Sequence, residues 1–142
     1  MTRVRELIER KSRTVFSVEP EDPVLEAIRQ MAEAHVGALL VMQGTELKGI
    51  ISERDYARKV ILHGRSSAET PVWQIMSSPV ITVTPERTVQ DCMKLMTDHR
   101  VRHLPVVEGG RVVGMISIGD LVKAVIEDQQ QTIEQLESYI HH

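Results

Sequence analysis

Gly49-Ile50-Ile51-Ser52-Glu53-Arg54-Asp55 and Gly114-Met115-Ile116-Ser117-Ile118-Gly119-Asp120 share one pattern: Gly, two apolar residues, Ser, two variable residues, Asp. The two stretches lie 65 positions apart. Working outward at that offset, Val15–Ile61 aligns with Val80–Ile126 over 47 positions without a gap, and sixteen positions are identical. Average composition gives about three by chance. The identities include Val18/Val83, Pro20/Pro85, Val24/Val89, Met31/Met96, Leu39/Leu104, Gly44/Gly109 and Asp55/Asp120. A lead-in is repeated as well: Val4-Arg5-Glu6-Leu7-Ile8 resembles Val72-Trp73-Gln74-Ile75-Met76, with three extra residues before the first strand. A fixed-offset self-match of this kind organises a chain before any other signal does.

Each copy reads as β-α-β-β-α. Thr14–Val18 and Val80–Val83 are β-branched runs that stop at a Pro-containing turn, as strands do. Val24, Ala27, Ile28 and Met31, and again Val89, Cys92, Met93 and Met96, lay an apolar stripe on one helix face. Asp22 before Pro23 fits an N-cap followed by a first-turn proline, and Thr88 with Asp91 resembles a capping box. Strands are expected over Ala38–Met42, Glu46–Ser52, His103–Val107 and Arg111–Ser117, joined by hairpins at Gly44 and Gly109-Gly110. A second helix starts at Glu53 or Ile118. In copy two it runs to about Ile140, with Ile126, Ile133 and Ile140 seven residues apart and Leu136 between them. Units this small fold better together, so the expected architecture is α+β, an α/β sandwich of two repeats packed about a pseudo-twofold axis with two related clefts. The boundaries are a lead-in over 1–14, repeats over 15–62 and 80–127, a linker over 63–79, and a helical extension over 128–142.

Composition narrows the function. The 142 residues carry 20 acidic and 17 basic side chains, a net charge of −3, which does not suit a binder of nucleic-acid phosphates. Aromatic residues are 3%: Phe16, Tyr56, Trp73 and Tyr139, too few for base-stacking on single strands. Phe16 and Tyr56 lie beside the candidate site segments of copy one. The lone Cys92 excludes a disulfide framework and a Cys-based zinc site, and its place on the helix stripe marks a buried thiol. The longest apolar run, Val36 to Met42, is too short to span a bilayer, and no signal-peptide stretch opens the chain, so a cytoplasmic protein is expected. His35, His63, His99 and His103 lack ligand spacing, His141-His142 alone do not hold a metal, and His35 and His99 fall at helix ends where they serve the dipole.

The Ser-x-x-Asp junction has two readings. One is structural: Ser satisfies an orphan amide and Asp complements the positive helix end. The other uses the same physics for a ligand. A helix N-terminus is an anion site, and a carboxylate one turn in accepts two hydrogen bonds from a vicinal ribose diol. Ribose would sit on Asp, with phosphate near Ser and nearby cations. The copies differ in charge here. Arg102 and His103 of copy two align with Gly37 and Ala38, whereas Arg54 of copy one aligns with Gly119. Lys59, Arg58 and Arg65 lie just downstream of Arg54, and His63-Gly64-Arg65-Ser66-Ser67 offers donors to a phosphate without being a P-loop. The two sites are therefore expected to be inequivalent, and Gly119 is expected to allow close backbone approach.

The duplicated unit with its Gly-x-x-Ser-x-x-Asp junction, Arg102-His103-Leu104-Pro105-Val106-Val107 and Thr82-Val83-Thr84-Pro85 resembles a tandem CBS-domain pair, or Bateman module, over about residues 4 to 127. It looks like a stand-alone pair. The resemblance implies an adenine-nucleotide sensor with AMP as first choice, then ATP, ADP and NAD. Its base would be held by main-chain groups and aliphatic side chains between strands. Carried over, Asp120 and Asp55 would hold ribose beside Ser117 and Ser52. Thr82, Thr84 and Arg102, His103, Leu104 and Pro105, with Ile118 and Gly119, would line the second site. Ser17, Val18 and Ala38–Leu40, with Arg54 and Lys59, would line the first. The resemblance also implies a homodimer and an unnamed regulated partner. The alternative is a ligand-independent dimerisation or interaction module. An enzyme is the least expected: the sequence shows no nucleophile–base pair, no metal-ligand cluster and no second acid placed for proton transfer.

Overall fold

Each of the two repeats places its helix stripe and its hairpin where the sequence pattern asks. The computed structural model describes residues 2–11 and 15–140. Thr14, which opens the first expected strand, and His141-His142 lie outside the described residues. The order is α1 (Val4–Arg10), β1 (Ser17–Val18), α2 (Val24–Ala34), β2 (Ala38–Gln43), β3 (Glu46–Ser52), α3 (Glu53–Tyr56), α4 (Val89–His99), β4 (His103–Glu108), β5 (Arg111–Ser117) and α5 (Ile118–Ile140). α3 continues as a π-helical turn over Ala57–Ile61, and Val72–Gln74 forms a 3₁₀ turn. The chain divides into two compact units, Thr14–Ile81 and Met1–Arg13 with Thr82–His142.

In the contiguous unit β1 pairs parallel to β2, which pairs antiparallel to β3. Val18, Val24, Ala27, Met31, Leu39, Val41, Ile51 and Val60 form its core with Val72 and Ile75. In the other unit β4 and β5 form a two-stranded sheet. It buries Val4, Leu7, Val89, Cys92, Met96, Leu104, Val106, Ile116 and Leu121. The duplication extends to irregularities. Val41 faces Gly49 while Met42 faces Leu47, so Lys48 is an extra residue in β3. Val113 is the corresponding extra residue in β5, between Gly114 opposite Val106 and Val112 opposite Val107. Both are β-bulges, which bend and twist the hairpin. The tip of the second hairpin has φ of 60° at Gly109 and 77° at Gly110. Two consecutive left-handed residues match the twist of antiparallel strands.

Four sequence expectations shift. The strand over Val80–Val83 is reduced to a single parallel bridge of Val83 to Val106, and its counterpart in copy one, β1, is only two residues long. The N-cap of α2 is Pro23 rather than Asp22. Asp22 instead closes the preceding turn, its carboxylate accepting from the Glu19 amide at 2.9 Å. Thr88 caps α4 by accepting from the Asp91 amide at 3.1 Å, without the reciprocal bond of a full box. Finally, α2 and α4 end on His35 and Arg100 in the left-handed region, φ 55° and 56°, so His99 is the last helical residue and His35 lies just beyond.

The largest departure concerns the lead-ins. Residues 63–79 are not a bare linker: Thr70, Val72 and Ile75 are buried. The lead-in that precedes copy two packs on copy one, and the lead-in that precedes copy one packs on copy two. The backbone bonds correspond pair by pair. Val72 and Trp73 amides donate to Asp22 and Pro20 carbonyls, and Val24 donates to Thr70, at 2.8, 3.0 and 2.8 Å. Val4 and Arg5 donate to Arg87 and Pro85, and Val89 to Thr2, at 2.9, 2.9 and 3.0 Å. Each lead-in then crosses a hairpin strand at a glycine. A Cβ on Gly49 would lie 2.7 Å from Met76 Sδ and 3.0 Å from the Ser77 carbonyl oxygen. A Cβ on Gly114 would lie 2.9 Å from Ile8 Cγ2.

These contacts rank two substitutions. Gly49→Ala pushes on main chain and should destabilise by about 1–3 kcal/mol, the usual range for overpacking. Gly114→Ala meets only a side chain and should cost less. Urea unfolding of the two variants against wild type measures both, and equal or reversed losses would contradict the packing described.

Candidate functional site

The β5–α5 junction is built by local chemistry. Ser117 ends the strand, and the Asp120 amide donates to its Oγ at 3.2 Å. In return the Ser117 amide donates to Asp120 Oδ2 at 2.8 Å. This reciprocal pair fixes the carboxylate one turn into the helix. Lys11, just past the end of α1, reaches the same oxygen: its Nζ donates to Asp120 Oδ2 at 2.7 Å and to the Met115 carbonyl at 3.1 Å. Among the described residues Asp120 Oδ1 has no hydrogen-bond partner. Burial alone would push the Asp120 carboxyl up, but the Lys11 ammonium and the Ser117 amide outweigh it and hold it below the usual carboxylate value.

The β3–α3 junction repeats the box and then diverges. The Ser52 amide and hydroxyl both donate to Asp55 Oδ2 at 3.0 Å, and the Asp55 amide donates to Ser52 Oγ at 3.1 Å. The other oxygen is occupied too. Ser77 Oγ donates to Asp55 Oδ1 at 3.4 Å, and Lys59 Nζ lies 3.2 Å from it. Lys59 also donates to the Ile75 carbonyl at 2.9 Å. Each carboxylate thus gains an ammonium, but from different places in the chain. Lys59 is one turn along the same helix, whereas Lys11 lies 109 positions away from Asp120.

The remaining candidate residues sort by burial. In the unit that contains Lys11, Thr82 and Thr84 are exposed on either side of Val83, whose amide donates to the Pro105 carbonyl at 3.0 Å. Arg102 is exposed, its carbonyl accepting from the Ile118 amide at 2.9 Å. His103 lies opposite Ser117 in the sheet. Thus Arg102, His103, Ser117, Ile118, Gly119 and Asp120 share one end of the β4–β5 hairpin, Thr82 and Thr84 flank the bridge of Val83 to Val106, and in the other unit Ala38 faces Ser52 while Ser17 pairs with Leu40 on the same strand. Four of the candidates, Val18, Ala38, Leu104 and Pro105, have buried side chains. Ser17 and Arg54 are exposed.

Charge and local pairing bear on others. Burial, then the Lys11 charge, pushes His103 below the usual imidazole value against the pull of Asp120, so the Arg102–His103 pair carries one positive charge at neutral pH. Lys59 is tied to Asp55 and a carbonyl rather than free to meet phosphate. Arg65 donates to Gln74, and Ser67 donates to the Tyr56 hydroxyl at 3.2 Å, so that loop spends its donors internally. Gly119 is not forced by crowding, since a Cβ there would meet only Ser117 Oγ at 3.6 Å. Cys92 is buried with its thiol pushed up to about 11, as a core residue rather than a nucleophile. Among the described residues no group of three or more His, Cys, Asp or Glu could hold a metal, and no helix is long and apolar enough to cross a membrane. Lys11 and Ser77 escaped the sequence reading. At the lead-in offset Lys11 aligns with Pro79, so the repeat carries no sign of it.

The duplicated junction and sheet order meet a known pattern. The family model described as CBS domain matches residues 4–62 and 72–127. The chain belongs to the CBS-domain family. It is 46% identical over 125 residues to the CBS domain-containing protein CBSX3, mitochondrial, of Arabidopsis thaliana, a match covering 84% of this chain and 61% of that protein. The chain therefore spans less than two thirds of that relative's length. The structure of a putative signal-transduction protein with CBS domains from Burkholderia ambifaria superposes with a TM-score of 0.87 at 51% identity, covering 90% of this chain and 96% of that one. A CBS domain protein from Pyrobaculum aerophilum complexed with AMP gives a TM-score of 0.74 at 28% identity, covering 84% and 89%. CBS-domain membership accounts for the paired matches and makes the chain regulatory in type, resembling signal-transduction proteins.

The Asp120 pair has a pH signature. A carboxylate whose folded value is depressed adds stability above its unfolded value, about 3.9, and loses it as pH falls through the folded value. Asp120→Asn keeps the Ser117 bond and loses the charge. Its deficit in urea unfolding, about 1 kcal/mol or less for so accessible a pair, should be flat at neutral pH and vanish in acid. A deficit that grows as pH falls would have the wrong sign.

Proposed function

We propose that this CBS-domain chain is a regulatory module that binds an adenine nucleotide through Asp120 and passes the event to a partner protein as a conformational change. AMP is the first candidate, then ATP, ADP and NAD. The observation that carries this reading is the Asp120 carboxylate, fixed one turn into a long helix with Oδ1 lacking a partner among the described residues. The Arg102 carbonyl accepts from the Ile118 amide at the start of that helix, and the side chains of Arg102, Thr82 and Thr84 are exposed. A vicinal diol needs an acceptor of this kind, and Arg102 with the helix end suits phosphate. The AMP complex of the Pyrobaculum relative supports the choice of base and sugar. Asp55, with both oxygens engaged and its side chain only 13% exposed, is the weaker site. Output to a partner requires that the nucleotide bind one conformation more tightly than another.

A second reading, ligand-independent dimerisation, is favoured by α5. From Gln129 to Ile140 every residue is exposed, including Ile133, Leu136, Tyr139 and Ile140. An isolated helix of that length is marginal in water. The seven-residue spacing of Ile126, Ile133 and Ile140 fits a second copy of the same helix. The two readings are compatible, with a homodimer carrying the nucleotide sites.

Calorimetric titration with AMP, ADP, ATP and NAD tests the first reading. At least one should bind, and at 100 times its Kd should raise unfolding free energy by about 2.7 kcal/mol. Asp120→Ala should weaken binding by about tenfold or more, the worth of hydrogen bonds to a charged group, and Asp55→Ala by less. Failure of all four nucleotides to bind would end the proposal. For the second reading, Ile133→Glu with Leu136→Glu should convert a sedimenting dimer to monomer without altering the titration; a dimer that survives both charges would remove α5 as its seam.

A further inference from the structure

The Asp120 site carries its own competitor. Oδ2 already accepts from the Ser117 amide at 2.8 Å and from the Lys11 ammonium at 2.7 Å, while Oδ1 has no partner among the described residues. A carboxylate oxygen offers about two acceptor positions. A vicinal diol that bonds both oxygens must therefore displace one donor from Oδ2. The Ser117 amide belongs to the main chain of the capping box and has nowhere to go. Lys11 ends on a flexible four-carbon stem, and its side chain is 42% exposed. Once displaced, the ammonium keeps the Met115 carbonyl at 3.1 Å but loses its counter-charge.

We infer that Lys11 is a specificity residue that makes the Asp120 site select phosphorylated nucleosides over free nucleosides, by guarding the carboxylate until a ligand supplies a replacement anion. This rests on the nucleotide-binding reading above. An uncharged nucleoside takes the carboxylate and leaves the ammonium unpaired beside it. A nucleoside monophosphate takes the carboxylate and returns an anion to the ammonium in exchange, forming a charge-assisted bond of comparable strength. The displacement is thus unfavourable for one ligand and nearly balanced for the other. Copy one lacks the device in this form. Asp55 is held by Ser77 as well as Lys59, and the position aligned with Lys59 in copy two is Ala124, so among the described residues Lys11 alone supplies an ammonium to Asp120.

The test is calorimetric titration of the full chain with adenosine and with AMP, in wild type, Lys11→Met, Lys11→Gln and Lys11→Arg. Neither Met nor Gln carries the charge, and having both guards against one failing to fold. With the charge gone, adenosine should bind about threefold tighter and AMP about as in wild type, so the ratio of the two affinities falls by about threefold. Lys11→Arg should keep the wild-type ratio. A purely structural role for Lys11 would weaken or spare both ligands alike. An unchanged ratio in Lys11→Met and Lys11→Gln therefore overturns this inference and leaves nucleotide binding standing. Failure of wild type to bind either ligand overturns both.

Discussion

A lead-in crossing a glycine is the contact on which the rest of each unit depends. Where Ser77 and Met76 pass over Gly49, and Ile8 over Gly114, a methyl group would already be inside contact distance. That proximity lets the lead-in place Val72 and Ile75, or Val4 and Leu7, beneath the sheet. It also aligns three main-chain bonds in each unit. The same crossing sets the charge of the sites. It delivers Ser77 to Asp55 in one unit and brings the end of α1, with Lys11, to Asp120 in the other. Packing and electrostatics are thus fixed by one geometric requirement, the absence of a side chain at two positions.

Duplication produced two frames of the same shape, and small substitutions made them chemically unlike. Both junctions keep the capping box, since Ser and Asp serve the helix end whether or not a ligand is present. What varies is the second coordination of the carboxylate. Asp55 has both oxygens committed, whereas Asp120 Oδ1 has no partner among the described residues. The helices diverge as well: α3 passes into a π-helical turn, whereas α5 runs on for 23 residues. Such wide turns alter which side chains face a neighbour, and here Lys59 sits within one.

Much of this was legible in the residues. The offset of 65 located both hairpins, both bulge-bearing strands and both boxes, because each rests on local rules of periodicity, turn chemistry and capping. The first strands were overcalled. Val80–Val83 has strand composition, yet only Val83 pairs, since pairing depends on the partner edge rather than on propensity. Asp22 was misplaced by one residue because a side chain that could cap the helix closes a turn instead. The buried Val18, Ala38, Leu104 and Pro105 could not be told from ligand-lining positions, as strand alternation says which residues share a face but not how deep that face lies. The exchange of lead-ins was invisible in the alignment. So was Lys11, which depends on a contact across most of the chain.

That exchange bears on how the protein is made. The unit spanning Thr14–Ile81 is one continuous stretch and has all its parts once that stretch has left the ribosome. Its counterpart opens with α1 and closes with β5 and α5, the first and last of the described elements. At 5–20 residues per second, the ordinary range, α1 waits about five to twenty seconds for Gly114 to appear. Through that interval Val4 and Leu7 have no sheet to cover them. Lys11 therefore leaves the ribosome well ahead of the Asp120 with which it pairs.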